Sequence, residues 1–330
     1  MTTVPSVPKF KLNTGAMMPA VSLGSWMGSE GERPDDCAKM VELALKLGYR
    51  AIDTATRYGV EAAVGRGIKP SGVPREEIFL TTKLHETSHH RVSEALEYSL
   101  KALQVDYIDL WLMHWPVAMF GDVVLPPEQS PTIVETYKEM EKALATGKVR
   151  AIGVSNFSVQ RLAEIIEKCS VVPAVNQIET HPSLPQFELV KYGEEKGILT
   201  SAYSPLGEPY GKLVVPDAIK IPTLFFEDDP LQPLADKYKA DVGSILLSWN
   251  VQRGVHVNVK AEKREHLIAD HTIVALDAAD VEFLNKWHEK PGFHRSLIQF
   301  HSPVPGAGGA AGWTYEQLQW PGMKKGGIVS

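Results

Sequence analysis

The stretch AIDTATRYGVEAAVG, residues 51–65, begins as an apolar strand, meets a charge at Asp53 and turns toward a helix after Tyr58. A carboxylate inside an apolar strand is costly unless it has a partner or faces a cleft. On both sides of this stretch, short β-rich runs alternate with amphipathic segments of about 10 to 15 residues. This alternation predicts βα units and a parallel sheet.

Eight strand candidates repeat along the chain. They cover residues 20–26, 49–55, 78–84, 107–115, 149–156, 174–179, 199–206 and 255–260. Eight βα units over this length predict an α/β fold, the (β/α)8 TIM barrel. No break in composition separates the units, so we expect a single domain over residues 1–330.

Helix boundaries follow from capping residues. Pro34 and Gly48 give a start and a stop to a helix over residues 35–47, and Ser88 is the expected N-cap of a helix over residues 88–103.

The two ends of the chain lie outside the repeats. Asn-Thr-Gly at residues 13–15 stands between two short runs and predicts a β-hairpin before the first barrel strand. Residues 291–330 predict a long C-terminal loop, and GAGGAAG at residues 306–312 is expected to be flexible within it. No strand precedes that glycine-rich run, and Ala311 replaces a required glycine, so it does not predict a dinucleotide fingerprint.

Composition excludes several classes of function. The chain has 330 residues and a net charge of −6, with no basic run, which argues against nucleic acid as the main partner. Its two cysteines form no CxxC pair, so neither a disulfide framework nor a cysteine-rich metal site is expected. No signal peptide or membrane-spanning run is evident, which predicts a soluble, cytoplasmic protein without a membrane partner.

Polar residues interrupt the ends of five strand candidates. Each has an ordinary structural explanation when taken singly, as a packed tyrosine or a satisfied histidine. Ionisable side chains on three neighbouring strands, however, imply one shared polar site, because active sites of this fold lie at the carboxyl ends of the strands. The residues are Asp53 with Tyr58, Lys83, His114, Ser155 with Asn156, and Gln177.

Six segments in order then resemble the aldo-keto reductase family, in its fungal type, along nearly the whole chain. They are DTATRYGVE, TTKL, LMHWP, GVSNF, NQIE and AYSPLG. The resemblance implies a (β/α)8 barrel, NADPH bound without a Rossmann fold, and reduction of aldehydes or ketones to alcohols. It places the catalytic tetrad on Asp53, Tyr58, Lys83 and His114. It also implies a small-molecule carbonyl substrate and a monomer or weak dimer.

Carbonyl reduction explains these residue types. A hydride reaches carbon while a proton reaches oxygen, so we expect Tyr58 to donate that proton. The Lys83 ammonium is expected to lower the pKa of the phenol by roughly two units, and Asp53 to hold Lys83 charged beneath it. His114, neutral, would donate a second hydrogen bond to the substrate oxygen.

The resemblance also implies the cofactor and substrate contacts. Trp26 and Trp115 would line the substrate pocket. The implied cofactor contacts are Ser155, Asn156 and Gln177 at the nicotinamide carboxamide, Tyr203 stacked on its ring, and Ser204 and Leu206 along the pyrophosphate.

Cofactor choice departs from the family pattern. Lys260 remains for the adenosine 2′-phosphate, but His266 stands where NADPH-preferring members have arginine. We therefore expect a reduced preference for NADPH, with NADH as a further cofactor, and a preference that strengthens at low pH as His266 becomes a cation. Lys263 or Arg264 is an alternative partner for the phosphate.

Two other functions remain open. The chain could be a nicotinamide-binding regulatory subunit with incidental turnover, which turnover below about 0.01 per second on every carbonyl would favour. HETSH, residues 85–89, matches the zinc-protease pattern. Because it follows a strand directly, both histidines are not expected on one helical face, and we expect no metal site.

Overall fold

Eight parallel strands close a barrel, and each contains part of one predicted strand. The computed structural model describes residues 4–28, 31–207, 224, 230–297, 301, 303–304 and 307–330. An antiparallel hairpin, β1 (Lys9–Lys11) and β2 (Met17–Pro19), precedes the barrel as predicted. The barrel strands are β3 (Val21–Gly24), β4 (Ala51–Asp53), β5 (Phe79–Leu84), β6 (Leu110–Met113), β9 (Ile152–Ser155), β10 (Val175–Glu179), β11 (Leu199–Tyr203) and β12 (His256–Val259). They pair in chain order, and β12 returns to β3.

Helices follow the barrel strands, and further short strands lie outside the barrel. The helices are α1 (Pro34–Leu47), α2 (Glu61–Ser71), α3 (Val92–Leu103), α4 (Ile133–Ala145), α5 (Val159–Lys168), α6 (Phe187–Lys196), α7 (Gln232–Tyr238), α8 (Val242–Gln252), α9 (Arg264–Asp270), α10 (Ala278–Asn285) and α11 (Tyr315–Leu318). The remaining strands are β7 (Met119–Phe120), β8 (Val123–Val124), β13 (Pro303–Val304), β14 (Ala307–Ala310), β15 (Trp313–Thr314), β16 (Met323–Lys324) and β17 (Ile328–Val329). Among the described residues, no helix combines the length and apolar character needed to cross a membrane.

The two-residue period of each strand determines which side chains enter the barrel. On β5, Leu80 packs in the large outer core, whereas Phe79 packs with the cluster at the amino ends of the strands. Thr81 and Lys83 share the parity of Phe79 and are buried with it. The same parity places apolar residues at the bottom of the barrel and polar residues at its carboxyl end.

The N-terminal hairpin closes the bottom of the barrel. Leu12, beside β1, and Met18 of β2 pack with Ala51, Phe79 and Leu110 from three barrel strands. All five side chains are buried, and burying a side chain as large as leucine, methionine or phenylalanine contributes about 1.5–3 kcal/mol. The opposite mouth is thereby the open end, where the candidate site lies.

One predicted helix start is wrong. Helix α3 begins at Val92 with Arg91 as its N-cap residue, whereas Ser88 ends a 3-10 turn over Glu86–Ser88. The reason is local: His85 Nδ1 accepts the backbone N–H of Thr87 at 3.1 Å, which stabilises the tighter turn before the helix. The predicted boundaries at Pro34 and Gly48 are confirmed by α1.

The C-terminal segment contains more regular structure than a long loop. Strand β14 pairs antiparallel with β13 and β15, and β16 pairs with β17. The glycine-rich run is therefore largely a strand, although Gly306 lies outside the described residues. Gly308 cannot carry a side chain there, because a Cβ would collide with the Tyr315 ring and lie 2.8 Å from Lys325 Cα.

Candidate active site

A buried ion pair joins the ends of β4 and β5. Lys83 Nζ donates to Asp53 Oδ1 at 2.5 Å and to the Thr54 carbonyl at 2.9 Å. The side chains are 0% and 5% exposed, so water screens the pair poorly. Burial lowers the pKa of Lys83, but Asp53 and Tyr58 outweigh that effect and raise it above its ordinary value. Lys83 is therefore a cation in the site, as the sequence predicted.

Tyr58 lies next to the Lys83 ammonium. It ends a 3-10 turn over Thr56–Tyr58, which follows β4. Lys83 Nζ is 3.4 Å from the phenol oxygen and 5.0 Å from the ring centroid. Burial raises the pKa of Tyr58 above its ordinary value of 10.0, and the Lys83 ammonium opposes that rise. The expected net lowering is wrong, because desolvation of the phenolate exceeds the attraction of one cation. The phenol consequently keeps its proton at neutral pH.

His114 follows β6 and faces the tyrosine. The two rings meet edge to face, with centroids 5.8 Å apart and planes inclined at 78°. Burial, followed by the charges of Lys83 and Arg57, holds the pKa of His114 well below 6.5. A neutral imidazole retains one N–H donor, in agreement with the predicted state.

Gln177 within β10 and two residues at the end of β9, Ser155 and Asn156, connect the ion pair to its surroundings. Gln177 Nε2 donates to Asp53 Oδ2 at 2.7 Å, and Ser155 Oγ donates to the Gln177 carbonyl at 2.8 Å. Asn156 Nδ2 donates to the His114 carbonyl at 3.0 Å. Because a carboxylate only accepts, the amide nitrogen of Gln177 must face Asp53, and Gln177 Oε1 remains an acceptor for another donor.

Tyr203, at the end of β11, closes this network. Its hydroxyl donates to Asn156 Oδ1 at 2.8 Å. Asn156 and Ser204 both have left-handed backbones, with φ of 65° and 45°, which non-glycine residues seldom adopt. Such strain is concentrated at functional sites, where surrounding contacts maintain it. Ser204 and Leu206 follow Tyr203 at the same barrel mouth.

Lys260 follows β12 and has a partner that the sequence analysis missed. Lys260 Nζ donates to Glu262 Oε1 at 2.6 Å, and Arg33 donates to both oxygens of the same carboxylate, at 3.1 and 2.5 Å. His266 lies exposed on α9. The only sequence signal for this contact was the acidic residue two positions after Lys260. Arg33 lies 229 residues from Glu262, so no local pattern connects the two.

The two candidate pocket tryptophans differ in environment. Trp26 is 41% exposed at the barrel mouth. Trp115 is buried with Val117 and Trp313, and its ring centroid lies 6.1 Å from that of Trp320. The C-terminal segment therefore packs on the loop after β6, and Trp313 Nε1 donates to the Leu125 carbonyl at 2.7 Å.

Glu179 is a second residue whose role the sequence analysis missed, although it ends the NQIE segment. Its carboxylate accepts the Leu297 N–H at 2.8 Å and the Ser296 hydroxyl at 2.6 Å. Burial opposes its charge, but hydrogen bonds from His181 and Ser296 leave the pKa of Glu179 below its ordinary value. Glu179 thus ties the segment after α10 to the barrel beside Tyr203, its register partner.

A cavity of about 370 Å³ adjoins the site on the side of Tyr203. Asn156 and Tyr203 form its inner wall, and Trp320, Met323 and Val329 of the C-terminal segment contribute to its outer wall. The C-terminal segment therefore lines part of the cavity next to the barrel mouth.

The zinc-protease pattern does not form a metal site. His85 precedes the 3-10 turn over Glu86–Ser88 and His89 follows it, so the two are not one turn apart on an α-helix. Throughout the described part of the chain, no group of three His, Cys, Asp or Glu side chains is arranged to hold a metal ion.

Comparisons with known proteins agree over the whole barrel. A sequence model of the Aldo/keto reductase family matches residues 20–289, which include all eight barrel strands. The chain is 38% identical over 310 residues to a glycerol 2-dehydrogenase (NADP(+)) of Saccharomyces cerevisiae, covering 88% of this chain and 94% of that protein. It is 40% identical over 292 residues to a D-galacturonate reductase of Hypocrea jecorina, covering 84% and 89%. A solved structure of a Bombyx mori aldo-keto reductase in complex with NADP matches with a TM-score of 0.79 at 34% identity, covering 89% of this chain and 96% of that one.

Proposed function

The chain belongs to the aldo/keto reductase family and is an NADPH-dependent carbonyl reductase, and from that premise we propose that Tyr58 protonates the substrate oxygen. The observation that carries the proposal is the buried ion pair of Asp53 and Lys83 beside the partly buried Tyr58, with a neutral His114 against the same phenol. NADPH, when bound, supplies the hydride that reaches the carbonyl carbon.

The residues around Gln177 suit a nicotinamide carboxamide. Gln177 Oε1 is turned away from Asp53 and can accept an amide N–H, while Ser155 and Asn156 lie beside it with further polar atoms. Tyr203 lines the adjoining cavity at the same mouth, and its hydroxyl donates to Asn156 Oδ1. We propose these four residues as the nicotinamide contacts, with Ser204 and Leu206 toward the pyrophosphate and Lys260 and His266 toward the adenosine phosphate.

Tyr58 and His114 divide the work at the substrate oxygen. The neutral imidazole donates a hydrogen bond that orients and polarises the carbonyl. Tyr58 then transfers its proton as negative charge develops on that oxygen. The Lys83 ammonium, 3.4 Å from the phenol oxygen, stabilises the phenolate that remains. Asp53 balances the charge of Lys83. A second hydrogen bond, from Gln177 to the other Asp53 oxygen, holds the carboxylate in position beside Lys83.

The names of the relatives support a proposal for the substrate class. Their names refer to glycerol and D-galacturonate, which are small polyhydroxylated compounds. We propose that this chain reduces aldehydes or ketones of that kind, with Trp26 and Trp115 at the substrate pocket.

Replacing Tyr58 with phenylalanine tests the assignment. Tyr58→Phe should lower kcat for carbonyl reduction at least about a hundredfold, since general acid catalysis contributes 10² to 10⁴. The dissociation constant of NADPH should stay within about twofold, because the ring remains in place. Tyr98→Phe, which removes the same hydroxyl from an exposed position on α3, is the matched control and should leave kcat unchanged.

The assay is NADPH oxidation with glyceraldehyde, dihydroxyacetone and D-galacturonate. Retention of wild-type kcat in Tyr58→Phe would exclude this residue as the donor. Wild-type turnover below about 0.01 per second on every carbonyl would instead favour a nicotinamide-binding regulatory subunit.

A further inference from the structure

An acidic side chain lies against the lysine proposed to receive the adenosine 2′-phosphate. Glu262 bridges two loops that rise from neighbouring strands, since β12 pairs with β3. Lys260 directly follows β12, and Arg33 is the N-cap residue of α1, the first helix after β3. The carboxylate contacts both cations within hydrogen-bond distance.

This cluster is accessible to a ligand. The side chains of Arg33, Glu262 and Lys260 are 45%, 33% and 35% exposed. Asp36 adds a second carboxylate, which accepts from Arg33 Nε at 3.0 Å. Two cations therefore face two carboxylates, and the cluster offers an incoming anion no net positive charge.

Resting on the proposed function, we propose that Glu262 sets the cofactor selectivity of this reductase by weakening the binding of a ribose 2′-phosphate at Lys260. A phosphate that approaches Lys260 must share the ammonium with a carboxylate already bonded to it at 2.6 Å. A free 2′-hydroxyl meets no such repulsion, because it can donate a hydrogen bond to the same carboxylate. The structure thereby gives a physical basis for use of NADH beside NADPH.

Glu262 keeps its charge under any ordinary assay condition. Hydrogen bonds from Arg33, and then from Lys260, hold its pKa at about 2 despite partial burial. Arg33 has a left-handed backbone, with φ of 50°. From the loop after β3, its guanidinium donates to both oxygens of Glu262 and holds that carboxylate in place.

The test uses nucleotide fragments, so that it does not depend on turnover. Adenosine 2′,5′-bisphosphate and 5′-AMP differ in the 2′-phosphate alone, and isothermal titration calorimetry on the full chain gives the dissociation constant of each. Glu262→Gln keeps the side-chain length and removes the charge. It should tighten binding of the bisphosphate at least tenfold while binding of 5′-AMP stays unchanged or weakens up to threefold.

Glu265→Gln is the matched control, because Glu265 is an exposed glutamate on α9 and its replacement changes the net charge equally. It should leave the ratio of the two constants within twofold. Parallel tightening of both fragments in Glu262→Gln, or an unchanged ratio, would overturn the role of Glu262 and leave the proposed function intact. Failure of the wild type to bind either fragment would overturn both the role of Glu262 and the proposed placement of the adenosine phosphate at Lys260, whereas the role of Tyr58 is tested separately by Tyr58→Phe.

Discussion

Removal of the Lys83 charge separates the stability of the site from its chemistry. Methionine at position 83 keeps most of the side-chain length but leaves the Asp53 carboxylate buried, with Gln177 Nε2 as a remaining hydrogen-bond donor. Removing one partner of a buried ion pair typically lowers the stability by about 3–5 kcal/mol, because the remaining charge stays buried in a poorly polarisable environment. With the two side chains 0% and 5% exposed, Lys83→Met should lose stability within that range of about 3–5 kcal/mol.

The double variant Asp53→Asn with Lys83→Met removes both charges. Asparagine fits the same space and can still bond Gln177, so most of the lost stability should return, to within about 1–2 kcal/mol of the wild type. Activity should not return. Both variants lack the cation that stabilises the phenolate, and kcat should fall at least about a hundredfold in each.

The pH dependence gives a third readout. Lys83 lowers the pKa of Tyr58 against the effect of burial, so its loss should raise that pKa further. Reduction requires the protonated phenol, and the basic limb of the kcat profile should therefore move to higher pH. The pKa of Lys83 itself is raised by the fold, so the ion pair contributes fully at neutral pH and is lost only as pH rises through that folded-state value.

Denaturant unfolding at pH 7 and steady-state kcat from pH 7 up to about 12, a range that extends above the ordinary tyrosine pKa of about 10, measure these effects. Three results would refute the reasoning: a stability loss under about 1 kcal/mol in Lys83→Met, no recovery in the double variant, or an unmoved basic limb.

Two further outcomes are expected. Burial, reinforced by Asp241, raises the pKa of Asp270 to about 7 from 3.8, so its contribution to stability is complete below 3.8 and is lost as pH rises through 7. Asp270→Asn should remove that dependence and exceed the wild type at pH 8 by at most roughly 4 kcal/mol in unfolding free energy, and equal pH slopes in the two proteins would contradict this. If His266 contacts the 2′-phosphate, the ratio of kcat/KM for NADPH to that for NADH should be higher at pH 6 than at pH 8. A change of the same size in His266→Gln would exclude that residue and favour Lys263 or Arg264.

Local patterns were sufficient to predict the barrel. The eight apolar runs, separated by amphipathic segments, predicted all eight barrel strands, and the Asn-Thr-Gly turn predicted the hairpin. The same logic brought Asp53, Lys83 and His114 to one mouth, because the carboxyl ends of parallel strands share one edge. Ser88 failed as an N-cap because a side-chain bond from Thr87 N–H to His85 stabilised a different turn.

The sequence by itself therefore determined the fold and the residue types of the site, since hydrophobic periodicity and strand polarity act over short stretches of chain. Only the tertiary structure decided the direction of the pKa shift at Tyr58 and the partners that come from distant parts of the chain. The pKa of Tyr58 rises because desolvation depends on everything packed around the phenol, which no local pattern records. Gln177 reaches Asp53 across 124 residues, Trp313 reaches Leu125 across 188, and Glu262 reaches Arg33 across 229. Barrel closure brings together the segments of the first and last pairs, and the C-terminal segment reaches Leu125 by packing on the loop after β6. The balance of attraction and desolvation at the site is therefore a property of the complete tertiary structure.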